Sequence, residues 1–290
     1  DKLRSSLSEL ADRGMKSVIL IGGGEPTVYP RFVEMVQYLK ELNQQIAIVS
    51  NGSRGDRLLE ASQFLTCSDW IRLSLDATFQ AMHKPRKPIS LDEICGWVPK
   101  IKTCNPEVQV GYSFIVTWQG ASRDQIAIIE NIDELVVAAD RARTFGFDYF
   151  SVKPFLMRQE ENNAEVMNPD TAKEELDQVI AKIRNAVVAA KELETDSFKI
   201  VESTNLRLLE QKTWETYTKQ PKRCHMQALR QVLTPQGLFH CPGYRGVPAA
   251  RIAGPEAYCD KETAEKTTCS TIDTIKQFDA SKQCANVTCL

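Results

Sequence analysis

Two stretches of this sequence bring together residue types that can do chemistry. The first is Gly22-Gly23-Gly24-Glu25-Pro26, directly after the apolar run Val18-Ile19-Leu20-Ile21. Glycines at that point let backbone approach a ligand, and proline fixes the exit of the turn. Such loops commonly cradle phosphate at a helix N-terminus. This one has neither the Lys-Ser/Thr pair of a P-loop nor the G-x-G-x-x-G spacing, and Glu25 would repel an anion. A carboxylate on a glycine loop suits an ammonium group; the plainer reading is a tight turn with a solvated Glu25.

The second stretch is the cysteine set, six of whose nine members lie after residue 220. Between Cys224 and Cys241 lie Leu229 to Thr234, then Pro235-Gln236-Gly237, then Leu238-Phe239-His240. Strand, Pro/Gly turn and return strand make a β-hairpin with a cysteine at each base. Cys284 and Cys289 follow, after Cys259 and Cys269. Four thiolates so placed can hold a [4Fe–4S] cluster or a zinc ion, and spacing alone does not decide between them. Cys259 and Cys269 rank lower, as loop cysteines. Cys67, Cys95 and Cys104 have no metal spacing and read as core packing. His240, next to Cys241, could line the cysteine site, though packing or solvent exposure is the simpler expectation.

These residues need elements to position them. Leu3, Leu7, Leu10 and Ala11 recur at helical spacing before Gly14. Val18–Ile21 then suits a strand buried on both faces. Helix and strand alternate onward: a helix after Pro30, a strand at 46–49 ended by Asn51-Gly52, a helix over 57–64 and a strand at 71–75. A helix at 91–104, a strand at 108–117, a helix at 126–145 and a strand at 149–152 follow. After a polar loop at 158–168 come a long helix at 170–193, a sixth strand at 198–201 and a helix to about 217. Alternation of this kind implies right-handed crossovers and a parallel sheet. An open doubly wound sheet and a partial β/α barrel both fit, and both place the site at the C-terminal strand ends. From Cys224 onward the chain is rich in Cys, Gly and Pro with little helical periodicity, which sets a boundary near residue 220. Tyr112, Phe114, Trp118, Tyr149 and Phe155 fall near strand ends and read mostly as core, with Tyr112 or Trp118 able to shape a pocket.

Composition narrows the classes. With 42% hydrophobic and 26% charged residues and a net charge of −2, the chain is neither disordered nor built for nucleic acid. It has no apolar run long enough to span a membrane and no signal-peptide pattern, so a cytoplasmic, reducing compartment is expected, where clustered cysteines bind metal more often than they pair.

Taken in order, the motifs resemble the radical S-adenosylmethionine (SAM) superfamily. Gly23-Gly24-Glu25-Pro26 is similar to its GGEP motif, which meets the methionyl amine of SAM. Ser50-Asn51-Gly52 resembles the end of its next strand. Ser74-Leu75-Asp76, with His83 and Arg86 beyond, is similar to its "SLDG…HD…RG" stretch, with Ala77 in place of the usual Gly. Ser74 or Asp76 would lie near the SAM ribose and carboxylate, the strand Gly111 to Val116 near adenine, and Lys153-Pro154 at the end of the last such strand. The resemblance covers about residues 1 to 155. The superfamily's CxxxCxxC, whose thiolates hold the catalytic [4Fe–4S] cluster, occurs nowhere in the sequence and is expected upstream of Asp1. Cys224, Cys241, Cys284 and Cys289 resemble the twitch or SPASM auxiliary-cluster subdomain, although the final pair is CxxxxC instead of CxxC.

The resemblance implies an α/β fold, a partial (β/α)6 TIM-like barrel over residues 1–220, and a Cys-rich subdomain with a β-hairpin over 221–290. It implies SAM and [4Fe–4S] clusters as cofactors and a flavodoxin- or ferredoxin-type reductant. The substrate would be a small, sugar-like molecule or a peptide, and the outcome an oxidation or epimerisation. The competing reading is a zinc-ribbon-bearing scaffold protein with no radical chemistry.

Overall fold

In the computed structural model, the residues described are 2–75, 90–118, 122–123, 126–127, 129–158, 165–167, 173–285 and 287. The apolar runs become six parallel strands: β1 Ser17–Leu20, β2 Gln45–Ser50, β3 Trp70–Ser74, β4 Gln109–Val116, β7 Tyr149–Pro154 and β10 Lys199–Glu202. They pair in the order β1-β2-β3-β4-β7-β10, each beside its predecessor in the chain. Two-residue ladders fall between them, β5 Ser122–Arg123 with β6 Ile126–Ala127, and β8 Met157–Arg158 with β9 Glu165–Val166.

The crossovers carry α1 Lys2–Asp12, α2 Phe32–Glu41, α3 Gly55–Ser62, α4 Leu91–Cys95, α5 Trp97–Cys104, α6 Leu135–Thr144, α7 Lys173–Lys191 and α8 Thr204–Gln211. One large core joins helices and sheet, taking Phe32, Val36 and Leu39 from α2, Ile46 and Ile48 from β2, and Ile71 and Leu73 from β3. Val110, Tyr112, Phe114 and Val116 of β4 and Phe150 and Val152 of β7 complete it. The alternate strand residues Val49, Arg72, Ser74, Ile115 and Lys153 are half-buried on the other face. Helices on one face of an open, consecutively ordered parallel sheet make the partial (β/α)6 barrel rather than the doubly wound alternative.

Several expectations are corrected. β1 is not buried on both faces: it is an edge strand paired only with β2, and Ile19 and Ile21 are 58% and 56% exposed. The helix expected from 126 starts at Leu135. Asn131, buried at the end of β4, accepts from the Thr117 N–H and donates to the Ile115 carbonyl, holding the chain in a non-helical link. The helix expected over 91–104 is two, meeting at Gly96, and Cys67 and Cys104 are exposed instead of packed. Tyr112 is a core residue, fully buried against Phe147 and Phe150.

The C-terminal region holds two small apolar clusters of its own. A short helix, α9 Met226–Leu229, precedes the hairpin, so Leu229 is not in a strand and is largely exposed. The hairpin pairs β11 Val232–Thr234 with β12 Gly237–Phe239. A third strand, β13 Arg251–Ala253, adds on the far side of β12. Gly237 sits at φ +138° where a Cβ would lie 2.5 Å from the Ala253 carbonyl oxygen, so glycine is required there. The region also contains α10 Lys261–Gln277, which periodicity did not announce, and the short α11 Ala280–Gln283. An Asp260/Thr263 capping box starts α10. Its inner face is small, with Ala264 and Thr267 buried, and the hydroxyls of Thr267, Thr268 and Thr271 donate to carbonyls one turn back. No large apolar stripe was there to read.

Candidate functional site

Parallel pairing puts the C-terminal ends of the strands on one edge. β1 runs into Gly22–Pro26, β2 into Asn51-Gly52, and β3, β4 and β7 end at Ser74, Val116 and Pro154. The loops after β1 and β2 meet at the Glu25 carboxylate. Its Oε1 accepts from the Thr27 N–H at 3.1 Å, the Thr27 hydroxyl at 2.6 Å and the Ser50 hydroxyl at 2.7 Å. Its Oε2 accepts from the Asn51 N–H at 2.7 Å. Glu25 therefore caps the one-turn helix Pro26–Val28 and ties it to the end of β2. With Oε1 occupied and a single bond on Oε2, acceptor capacity for a further donor remains on Oε2. The hydroxyls of Thr27 and Ser50 were not singled out from sequence as carboxylate partners; a hydroxyl two residues after an acidic N-cap was the available signal.

Gly23 and Gly24 stand apart from the other glycines. Neither has a positive φ, and a Cβ on either would meet no heavy atom within 4 Å. Nothing among the described residues demands glycine there, and open space over bare backbone is what a ligand lying along the loop needs. Gly52 differs: at φ +75° its Cβ would lie 2.4 Å from Ile94 Cγ2, so the chain itself requires it. Spare acceptor capacity on Glu25 beside exposed glycine backbone fits the amino-acid end of SAM, whereas the Thr27 and Ser50 hydroxyls are buried and already committed to Glu25.

The remaining strand-end residues sort by face. Ser74 pairs in register with Ser113, and Ser113 with Ser151, a row of three serines on the face opposite the helices. Lys153 sits one step along β7, opposite Ile115 on that same face. Val116 is fully buried in the core and can present only backbone to a ligand. Tyr149 lies deeper on the serine face, its ring filling the space above Gly111, and burial raises its phenol pKa. Asp76, His83 and Arg86 lie outside the described residues. Cys95 is buried in the core and burial pushes its thiol up to about 12, so it is inert packing.

At the other end of the chain, Cys224, Cys241 and Cys284 pack against one apolar cluster of Phe239, Tyr244, Ala250, Phe278, Ala280 and Val287. Cys289 lies outside the described residues. Cys259 bonds locally to Asp260 and Thr263, and Cys269 is exposed on α10. The cysteines are the right donors for a cluster and converge on one small core, but the described residues hold no closed group of three metal ligands. His240 is neither exposed nor ordinarily packed. It is 1% exposed, both ring nitrogens lack a hydrogen-bond partner among the described residues, and burial lowers its pKa to about 4.

Residues 1–132 match the sequence model of the Radical SAM superfamily. A S-adenosylmethionine-dependent nucleotide dehydratase of Selenomonas ruminantium is 22% identical over 212 residues, 68% of this chain and 77% of that protein. Among solved structures, Streptococcus suis SuiB bound to S-adenosylmethionine superposes with a TM-score of 0.59 at 14% identity, covering 91% of this chain and 57% of SuiB. Native anSMEcpe with bound AdoMet gives 0.57 at 13% identity, covering 95% of this chain and 73% of that one. At such identities the likeness is one of fold, and the chain spans little more than half of SuiB. Among the described residues no helix is long and apolar enough to cross a membrane.

Proposed function

We propose that this chain is the SAM-binding and auxiliary-cluster part of a radical SAM enzyme acting on a C–H bond of a small polar substrate. The observation that carries the reading is the Gly23–Gly24 backbone, open to ligand at the end of β1 beside the Glu25 carboxylate. In this reading Oε2 of Glu25 receives the methionyl ammonium, and the exposed glycine amides lie along its carbon chain. Asn51 orients the Glu25 carboxylate through its N–H, Ser74 or Asp76 serves the ribose and methionyl carboxylate, Lys153 is a further cofactor contact at the end of β7, and the end of β4 at Val116 flanks adenine. The chemistry the bound cofactors supply is reductive cleavage of SAM and hydrogen-atom abstraction from substrate.

Residues 1–220 form the barrel in this assignment, and residues 221–290 the twitch- or SPASM-like subdomain in which Cys224, Cys241, Cys284 and Cys289 ligate one auxiliary [4Fe–4S] cluster. A flavodoxin- or ferredoxin-type protein of a reducing cytoplasm would deliver the electron. The serine row and the dehydratase relative favour a small hydroxylated substrate of the sugar or nucleotide kind. SuiB, also solved bound to its precursor peptide SuiA, keeps a peptide substrate as the second reading. Oxidation and epimerisation both suit an auxiliary cluster that exchanges one electron with the substrate radical.

The test is anaerobic reconstitution of the full-length protein with iron and sulfide. Iron and sulfide in equal proportion, and 5′-deoxyadenosine released from SAM on reduction, are expected. A colourless protein carrying one zinc and leaving SAM intact would support the scaffold reading in its place.

A further inference from the structure

We propose that Arg72, with the hydroxyls of Ser113 and Ser151, anchors an anionic oxygen group of the substrate, a phosphate or a carboxylate, on the face of the sheet opposite the helices. The inference names the substrate class for the strand-end site described above and rests on that reading. Arg72 lies in the middle of β3, in register with Gly111 of β4 and through it with Tyr149 of β7. Two residues further along, the register brings together Ser74, Ser113 and Ser151. That step is roughly 7 Å toward the strand ends. An arginine side chain covers such a span, so one small ligand group can meet both rows.

These rows are rich in donors and poor in acceptors. The Arg72 side chain is half-buried, and its Nε is sealed from solvent with no hydrogen-bond partner. Among the described residues no carboxylate pairs with it: the neighbouring Asp69 and Asp148 are taken by Lys40 and Lys102. Trp70 lies against it, with the Arg72 Cζ 5.1 Å from the ring centroid. A ring contact of that kind uses a face of the guanidinium and leaves its N–H edges open to a ligand. Tyr149 fills the space over Gly111, and the Arg72 charge pulls its phenol pKa down against the larger upward effect of burial. Ser113 and Ser151 are 4% and 6% exposed, and among the described residues neither hydroxyl has a hydrogen-bond partner. A partly buried cation and two buried hydroxyls with nothing to meet them carry a desolvation cost that a bound acceptor offsets. An oxyanion satisfies them together, because the guanidinium fork takes two oxygens side by side while hydroxyls donate to the lone pairs that remain. A neutral hydroxylated substrate would leave the guanidinium charge uncompensated.

The test uses full-length protein, reconstituted anaerobically and saturated with SAM, in thermal melts at constant ionic strength with inorganic phosphate, acetate or chloride. A ligand that binds only the folded state raises the melting temperature as its concentration passes Kd. Phosphate also stabilises folded proteins in general by exclusion from their surface, so the reading is the difference between wild type and Arg72→Gln. Wild type should show a saturable rise, and Arg72→Gln an affinity at least tenfold weaker. Arg72→Lys, which keeps the charge but not the fork, should fall between, and Ser113→Ala with Ser151→Ala should weaken binding severalfold. Whichever of phosphate and acetate binds wild type more tightly identifies the group. Should Arg72→Gln not fold, Arg72→Lys carries the same comparison, and there an unchanged affinity is the refuting result. Equal rises in wild type and a folded Arg72→Gln, or no saturable rise with either anion, overturn the proposal. So does a loss of SAM affinity in folded Arg72→Gln, which would place the guanidinium on the cofactor's carboxylate. A wild-type protein that binds no SAM overturns the radical SAM reading instead, and its anion titration still reports on Arg72.

Discussion

Gly23→Ala separates what the fold needs from what a ligand needs. A Cβ there meets no heavy atom within 4 Å, and the residue is not in the left-handed region. The folded state therefore pays no steric cost, while the unfolded chain loses conformational freedom. Gly→Ala at a compatible site stabilises by about 0.4–1 kcal/mol on that account. Thermal or urea unfolding should show Gly23→Ala equal to or slightly more stable than wild type. A ligand lying on the bare backbone would meet the new methyl, and a tenfold loss of SAM affinity corresponds to about 1.4 kcal/mol. Gly22→Ala is the internal contrast, since its Cβ would lie 3.0 Å from the Gly24 carbonyl oxygen and the loop must give. Gly52→Ala is the destabilised control, because positive φ and the Ile94 contact both oppose it. The assay is equilibrium SAM binding beside an unfolding curve on the same preparations. Undiminished SAM binding by a folded Gly23→Ala would refute the assignment of this loop to the cofactor.

Three further outcomes follow from the same geometry. Glu25→Gln removes one of two acceptor oxygens that together take four hydrogen bonds. A hydrogen bond to a charged group contributes roughly 1.5–3 kcal/mol, so the variant should unfold at lower urea and bind SAM at least tenfold more weakly; unchanged binding would leave Glu25 a purely local cap. Asp69 is buried and accepts from Ile46 N–H, Thr66 and Lys40. Burial raises its carboxyl, but these bonds outweigh it and hold the pKa below the ordinary value. Its stabilisation is thus complete above about pH 4, the ordinary carboxylate range, and fades as pH falls below it. Asp69→Asn should cost about 3 kcal/mol at neutral pH, with the gap from wild type closing on acidification, as urea titrations at several pH values would show. Gly111→Ala places a Cβ 2.0 Å from Tyr149 Cζ, so overpacking should cost about 1–3 kcal/mol. Tyr149→Ala in the same chain should recover part of that loss in a double-mutant cycle.

The barrel half was legible because its signals are strong and local. Short apolar or alternating runs between helical periodicities gave every main strand to within about two residues, and the order of strand-end motifs gave the edge on which they gather. What failed there was burial: an apolar run such as Val18–Ile21 announces a strand but not whether both faces are covered, which depends on what packs against it. The start of α6 was lost to Asn131, a single buried amide whose two hydrogen bonds override an apolar run that would otherwise continue a helix. In the C-terminal region the hairpin was visible from its turn. Helix α10 was hidden because its contacts are made through alanine and threonine, which carry little hydrophobic signal. His240 was invisible for a different reason. Its environment is assembled by Phe278, distant in sequence, together with the nearby Tyr244, and a lone histidine in a sequence does not disclose whether its nitrogens are met.

The path of the chain after β10 bears on how the open sheet is completed. β1 and β10 are the two edges, and unpaired parallel edges need covering. The C-terminal region departs from α8, which packs against β7, yet it returns to α1, next to β1: the buried Ser6 hydroxyl donates to the Ala257 carbonyl at 2.9 Å, and Arg13 reaches Thr268 at 3.1 Å. Leu10 of α1 packs into the same small cluster as Tyr258 and Ala264. Another such cluster takes Val166 from the segment after β7. The cysteine-bearing region is therefore anchored to α1 and to the segment after β7 and is not a pendant tail. If it carries the proposed auxiliary cluster, these contacts fix the cluster's position relative to the strand ends.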